Sequence, residues 1–146
     1  MIIPDINLLV YAYNAKDPSH PRAKSWWEKL LNGTDPVGIP WLTISGFLRL
    51  VTNSRVFVDP ISVSLATEHV REWLECPVVL TVEPGKKFAG IFLGLLDESG
   101  TAGNMTTDAY LAALAIEHQA ELHSNDADFS RFKGLRWRNP LQQKNR

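Results

Sequence analysis

Thr107-Asp108-Ala109-Tyr110-Leu111-Ala112-Ala113-Leu114-Ala115-Ile116, followed by Glu121-Leu122-His123-Ser124-Asn125-Asp126, is the stretch that decides the fold. From Tyr110 to Ile116 it is apolar on nearly every side, the pattern of a helix buried on most of its faces. A helix is expected from about Thr106 to Gln119, and the run Glu121 to Ser124 reads as the strand it feeds. A helix feeding a parallel strand runs opposite to it. Its N-terminus then lies beside the C-terminal ends of the strands, where open α/β sheets bind ligands. Asp108 opens that helix and Asp126 follows that strand. Asp5 ends the apolar opening Met1-Ile2-Ile3-Pro4, so all three carboxylates are expected at one sheet edge.

Outward from these segments the chain alternates strand and helix. Asn7 is placed to cap a short helix reaching Tyr13, and Pro21 to Leu31 reads as a helix opened by proline and closed at Asn32-Gly33. Val37 to Pro40 is a short strand, Trp41 to Thr52 a helix, and Ser62 to Glu75 another, with Leu65, His69 and Leu74 as inward candidates. Val78 to Val82 is a β-branched strand closed by Glu83-Pro84-Gly85. Between Lys86 and Asp97, Phe88, Ile91, Phe92, Leu95 and Leu96 follow the spacing of one buried helical face. The loop Glu98 to Met105 leads into the long apolar helix, and Leu135 to Trp137 is a last strand. The expectation is an α/β fold: a three-layer α/β/α sandwich around a mainly parallel sheet of about five short strands.

The 146 residues suit one domain spanning 1–146, and 45% hydrophobic with 21% charged residues is ordinary for a globular protein. No basic leader and no stretch of roughly 20 apolar residues is present, so no membrane partner is expected. Cys76 is the only cysteine, which excludes an intramolecular disulfide and points to a reducing cytoplasm. The net charge of -1 hides an asymmetry: six basic and no acidic residues lie between Arg131 and Arg146, leaving nine basic residues to face all 16 acidic ones elsewhere. That basic end (about 131–146) either attracts a polyanion or is a solvated tail.

Each acid has a plain structural use as well. Asp5 can cap a helix, Asp108 complements a helix dipole, and Asp126 can cap a turn over Ala127 to Arg131. Gathered at one edge, carboxylates repel and raise one another's pKa unless a cation compensates, and an oxygen-only cluster suits Mg²⁺ or Mn²⁺ better than zinc. His20, His69, His118 and His123 show no paired zinc-ligand spacing. Trp26 and Trp27 are adjacent on one helix and cannot share a side, so one of them is expected to be exposed. Gly90 and Gly94 are read as sites of close packing.

Four motifs in order resemble the PIN-domain family, and within it the VapC-type toxins of toxin-antitoxin pairs. They are Asp5-Ile6-Asn7-Leu8-Leu9, Phe47-Leu48-Arg49-Leu50-Val51-Thr52, Thr107-Asp108-Ala109-Tyr110 and onward, and Ser124-Asn125-Asp126-Ala127-Asp128-Phe129. The resemblance implies a metal-dependent ribonuclease, often a homodimer, held inactive by a small VapB-like antitoxin. By position, Asp5, Asp108 and Asp126 match the first, third and fourth acids of the family's metal site. Asp128 is an auxiliary ligand candidate, and Asn7 matches the polar position that supports the first acid. Arg49 is read as meeting the scissile phosphate or pairing with one of the acids.

The second acidic position departs from the pattern, since Gly46 stands where the family usually has glutamate. Thr43 and Ser45 offer neutral oxygens nearby. The expected chemistry is hydrolysis of an RNA phosphodiester, in tRNA or ribosomal RNA, with Mg²⁺ or Mn²⁺ activating water. The alternative is a degenerate, non-catalytic PIN domain that binds RNA or a protein. A haloacid-dehalogenase phosphatase would need an acid where Asn7 stands, and a receiver domain would need paired acids after the first strand. The helices Pro21 to Leu31 and Trp41 to Thr52 carry large apolar residues that would suit an antitoxin helix.

Overall fold

The computed structural model describes residues 1–100, 103 and 105–142. Lys144 and Arg146 of the basic end, and part of the loop 98–105, lie outside the described residues. Five strands, β1 (Ile2–Pro4), β2 (Val37–Pro40), β3 (Val79–Val82), β4 (Glu121–His123) and β5 (Arg136–Arg138), form one sheet in the order β3-β2-β1-β4-β5. Every pairing is parallel, with Pro4 opposite His123 and His123 opposite Arg138. The order reverses between β1 and β4, and that reversal opens a crevice at the C-terminal edge of the sheet.

Helices cover both faces. One cluster gathers α1 (Ile6–Ala12), α2 (His20–Leu31), α3 (Trp41–Val51) and α4 (Val63–Glu75). The other gathers α5 (Phe88–Ser99) and α6 (Met105–Glu117) with Phe129 and Phe132. This is the expected α/β/α layering with a five-stranded sheet. Ser62 starts α4 by accepting the Leu65 N–H at 3.1 Å, and Gly100 ends α5 in the left-handed region at φ 64°, where a glycine carries no steric cost.

Several local expectations need correction. Asp5, not Asn7, caps α1, and Asn7 is an exposed residue within the helix. The inward residues of α4 are Ala66, Val70 and Trp73, while Leu65 and Leu74 are exposed. Trp73 decides this: its ring meets Phe47 at 4.6 Å and Trp27 at 5.5 Å. With Trp73 turned inward, Leu74 lies about 100° round the helix.

Trp26 and Trp27 are both buried, because α2 is covered on two adjacent sides. Trp27 faces Trp73, and Trp26 faces the sheet, where its indole N–H donates to His123 Nδ1 at 3.0 Å. On α5 only Leu95 is fully buried. Phe88, Ile91, Phe92 and Leu96 are half-covered by α6, with Phe88 edge-on to Tyr110 at 4.9 Å. A Cβ at Gly90 or Gly94 would meet nothing within 4 Å, so close packing is not what those glycines serve.

Candidate active site

Asp5 leaves the end of β1 and enters α1 at the sheet's reversal point. Its amide donates to the His123 carbonyl at 2.8 Å, which ties it to β4. One carboxylate oxygen accepts the Ile6 N–H at 2.7 Å and the other accepts the Ser124 hydroxyl at 2.7 Å. Only 5% of the residue is exposed. Burial pushes its pKa up, the two hydrogen bonds pull it down, and the charge of Asp126 pushes it up again.

Ser124 links the two strand ends. It is fully buried, donates to Asp5, and accepts the Asp126 N–H at 3.0 Å on the same oxygen. Its own amide donates to the Arg138 carbonyl at 3.1 Å. Asp126 begins the 3₁₀ turn Ala127–Arg131 by accepting the Asp128 N–H at 2.8 Å. Both the capping reading and the shared-edge reading of Asp5 and Asp126 therefore hold together.

Asp108 sits in the first turn of α6. Its pKa is pushed up from 3.8 to about 6, first by burial and then by the charges of Asp5, Asp126 and Asp128. The four acids thus share one electrostatic neighbourhood. Among the described residues, however, no three of His, Cys, Asp or Glu converge into a closed metal shell. The donor set is oxygen-only and its members repel one another, which a hard divalent cation would relieve by drawing the carboxylates in.

The remaining sequence candidates stand apart from this group. Asn7 makes no side-chain hydrogen bond among the described residues, and Ser124 and the Ile6 amide do the holding of Asp5. Arg49 is exposed on the last turn of α3 and pairs with no acid among the described residues. Ser45 is exposed, and the fully buried Thr43 hydroxyl has no hydrogen-bond partner.

Gly46 is explained by its neighbour: a Cβ there would stand 2.6 Å from Ile6 Cδ1, 3.2 Å from Cγ1 and 3.3 Å from Cγ2. The space where a side chain at position 46 would begin is filled by Ile6, the residue after Asp5. Ser124, which the sequence alone gives no role, holds Asp5 and Asp126 together. Its signal was present in Ser124-Asn125-Asp126, but only the parallel pairing of β1 and β4 brings its hydroxyl to Asp5.

Comparison with known proteins follows the same lines. The PIN domain profile matches residues 2–135. Ribonuclease VapC33 of Mycobacterium tuberculosis is 47% identical over 143 residues, covering 98% of this chain and 100% of the relative. VapBC2 from Rickettsia felis, bound to a DNA fragment from their promoter, superposes with a TM-score of 0.69 at 21% identity, covering 95% of this chain and 98% of that one. Mycobacterium tuberculosis VapC20, a sarcin-ricin loop cleaving toxin, superposes with a TM-score of 0.68 at 19% identity, over 93% of this chain and 99% of that one.

Proposed function

This chain belongs to the PIN-domain family, and from that premise we propose that it is a ribonuclease, the toxin of a toxin-antitoxin pair, hydrolysing RNA phosphodiesters at the edge that carries Asp5, Asp108 and Asp126. The observation that carries this reading is the Asp5–Ser124–Asp126 network at the reversal point of the sheet, with the pKa of Asp108 raised to about 6 by burial and then by its acidic neighbours.

Asp5, Asp108 and Asp126 would hold Mg²⁺ or Mn²⁺, with Asp128 as an auxiliary ligand. Such an ion, when bound, supplies a water of lowered pKa and stabilises charge on phosphoryl oxygens. The chain's own part is orientation. Ile6 and Ser124 each fix one Asp5 oxygen, so the carboxylate cannot rotate freely. Asp126 is fixed at one oxygen by the Asp128 amide and keeps the other available. Asp108 has the freer carboxyl. Burial of Asp5 keeps water from competing for its oxygens, which strengthens whatever charge they face.

Partners follow from the family: a VapB-like antitoxin, RNA as substrate, and a second copy of the chain in a homodimer. Support for an apolar docking face on α2 and α3 is partial. Trp26, Trp27 and Phe47 are spent on the core, while Leu30, Leu31, Leu42, Leu48 and Leu50 are half-covered and Trp41 is 51% exposed. Among the described residues no helix is long and apolar enough to cross a membrane. The lone free thiol of Cys76 fits a reducing compartment, so we assign the protein to the cytoplasm.

A second reading has one observation in its favour. Ile6 crowds position 46, where the second acid of the site would stand, as a non-catalytic PIN domain would allow. Cleavage of a tRNA and ribosomal RNA panel, with and without Mn²⁺ or Mg²⁺ and beside Asp5→Asn, separates the two. Metal-dependent cleavage is expected from the wild type, with a loss in Asp5→Asn beyond the roughly 10–100-fold that removal of an outer-shell partner costs. No cleavage by folded, antitoxin-free wild type would instead favour the degenerate or binding-only reading.

A further inference from the structure

A cavity of about 590 Å³ opens between α2 and the β4–β5 margin of the sheet. Ile2, Trp26, Leu30 and Leu141 give it an apolar lining. Its charged lining is Arg22, Lys29 and Arg138 against one acid, Asp35. None of the three cations makes an ion pair among the described residues. Arg22 gives one N–H to the Leu141 carbonyl at 3.0 Å, which orients the guanidinium and leaves its other donors uncommitted. Three unpaired cations around one cavity repel, and among the described residues that line it Asp35 is the only acid.

The cavity adjoins the acidic edge through shared backbone. His123 lines it, and the His123 carbonyl accepts the Asp5 amide at 2.8 Å. Arg138 lines it too, and the Arg138 carbonyl accepts the amide of Ser124, the residue that holds Asp5. Trp26 has only a donor to offer, so His123 Nδ1 accepts and His123 Nε2 donates to Glu121 at 2.8 Å. His123 is thus committed as a neutral strut, and burial lowers its pKa in keeping with that state. The charge in the cavity belongs to Arg22, Lys29 and Arg138.

We propose that this cavity holds the single-stranded RNA on one side of the cleaved bond, with phosphates on Arg22, Arg138 and Lys29 and a base against the lining of Trp26 and Leu30. The proposal rests on the ribonuclease reading of the adjacent acids. Its volume lies within the ~300–1,000 Å³ of small-ligand sites, room for about one or two nucleotides and not for a duplex. An apolar wall beneath cationic donors suits an unpaired base and its phosphates.

The test is binding of a labelled, unstructured oligoribonucleotide to the full chain carrying Asp5→Asn, across a salt series. Arg22→Gln/Arg138→Gln in that background is expected to weaken binding about tenfold or more. It should also flatten log K against log salt by about 1.4, since each lost single-strand phosphate contact removes about 0.7. Lys86→Gln/Lys87→Gln, which removes two charges outside the cavity, should leave the slope unchanged. Circular dichroism and melting of each variant confirm that the fold is kept.

An unchanged slope in the arginine variant, or an equal loss in the lysine variant, overturns the proposal. So does competition by polyglutamate as effective as by unlabelled RNA, which would assign the cavity to an acidic peptide. Wild-type cleavage is scored in parallel. Metal-dependent cleavage with an unchanged slope sinks the cavity alone, whereas the slope loss without cleavage keeps the cavity and sinks the ribonuclease reading.

Discussion

Asp5 is both a helix cap and a candidate ligand, and Ser124 lets it be both. With its oxygens committed to Ile6 and Ser124, removing the Ser124 hydroxyl strands one oxygen of a buried carboxylate. Ser124→Ala should cost about 1–3 kcal/mol of stability, the penalty of an unsatisfied buried polar group, and lower cleavage roughly 10–100-fold, as loss of an outer-shell partner does. Thermal melting and initial rates check both, and a variant as stable and active as the wild type would refute the positioning role.

Asp108 gives a prediction in pH. Its pKa of about 6 lies above the ordinary 3.8, so the folded protein binds that proton more tightly than the unfolded chain. In metal-free protein the resulting stability is fully present below about pH 4 and is lost as pH rises through about 6. Asp108→Asn removes this titration. It should melt above the wild type at pH 8, and the difference should shrink toward pH 4. Comparing the two proteins cancels the opposite contribution of His123, whose pKa burial lowers.

Among the elements, the close approach of α1 and α3 decides what position 46 can hold. Moving Ile6 Cδ1 alone does not relieve the crowding, because Cγ1 and Cγ2 stand at 3.2 and 3.3 Å from the same point and must also give way. Gly46→Glu should therefore destabilise the fold by about 1–3 kcal/mol, the range for overpacking, without raising cleavage. Ile6→Ala/Gly46→Glu makes room and should recover part of that loss. A single Gly46→Glu that melts no lower and cuts faster would show that Ile6 yields readily. Asp108 lies at the opposite kind of junction. The first turn of α6 reaches the crevice because the middle of the helix, Ala109 and Leu111 to Ala115, is buried and the helix feeds β4.

Across the whole molecule, the sheet order collects charge at one edge from segments more than 100 residues apart. That concentration should make the fold responsive to divalent ions. At a Mn²⁺ concentration of 100 times the dissociation constant, binding to the folded state alone adds about 2.7 kcal/mol. The wild type should melt higher in Mn²⁺, and Asp5→Asn/Asp108→Asn should not respond. An equal response in both proteins would place the ion elsewhere.

The sequence by itself determined the alternation of strands and helices, the shared edge of Asp5, Asp108 and Asp126, and the motifs that mark the family. These are legible because hydrophobic period and cap chemistry act between near neighbours, and because a parallel sheet obliges each strand and the helix feeding it to meet at one end. Only the tertiary structure decided that Asp5 rather than Asn7 caps α1, that Trp73 turns α4 away from Leu65 and Leu74, and that Trp26 and Trp27 are both buried. It alone joined Ser124 to Asp5 and filled the space beside Gly46 with Ile6. Those outcomes depend on which elements press on one another across the sheet and between helices, and periodicity along one segment carries no record of its distant neighbours.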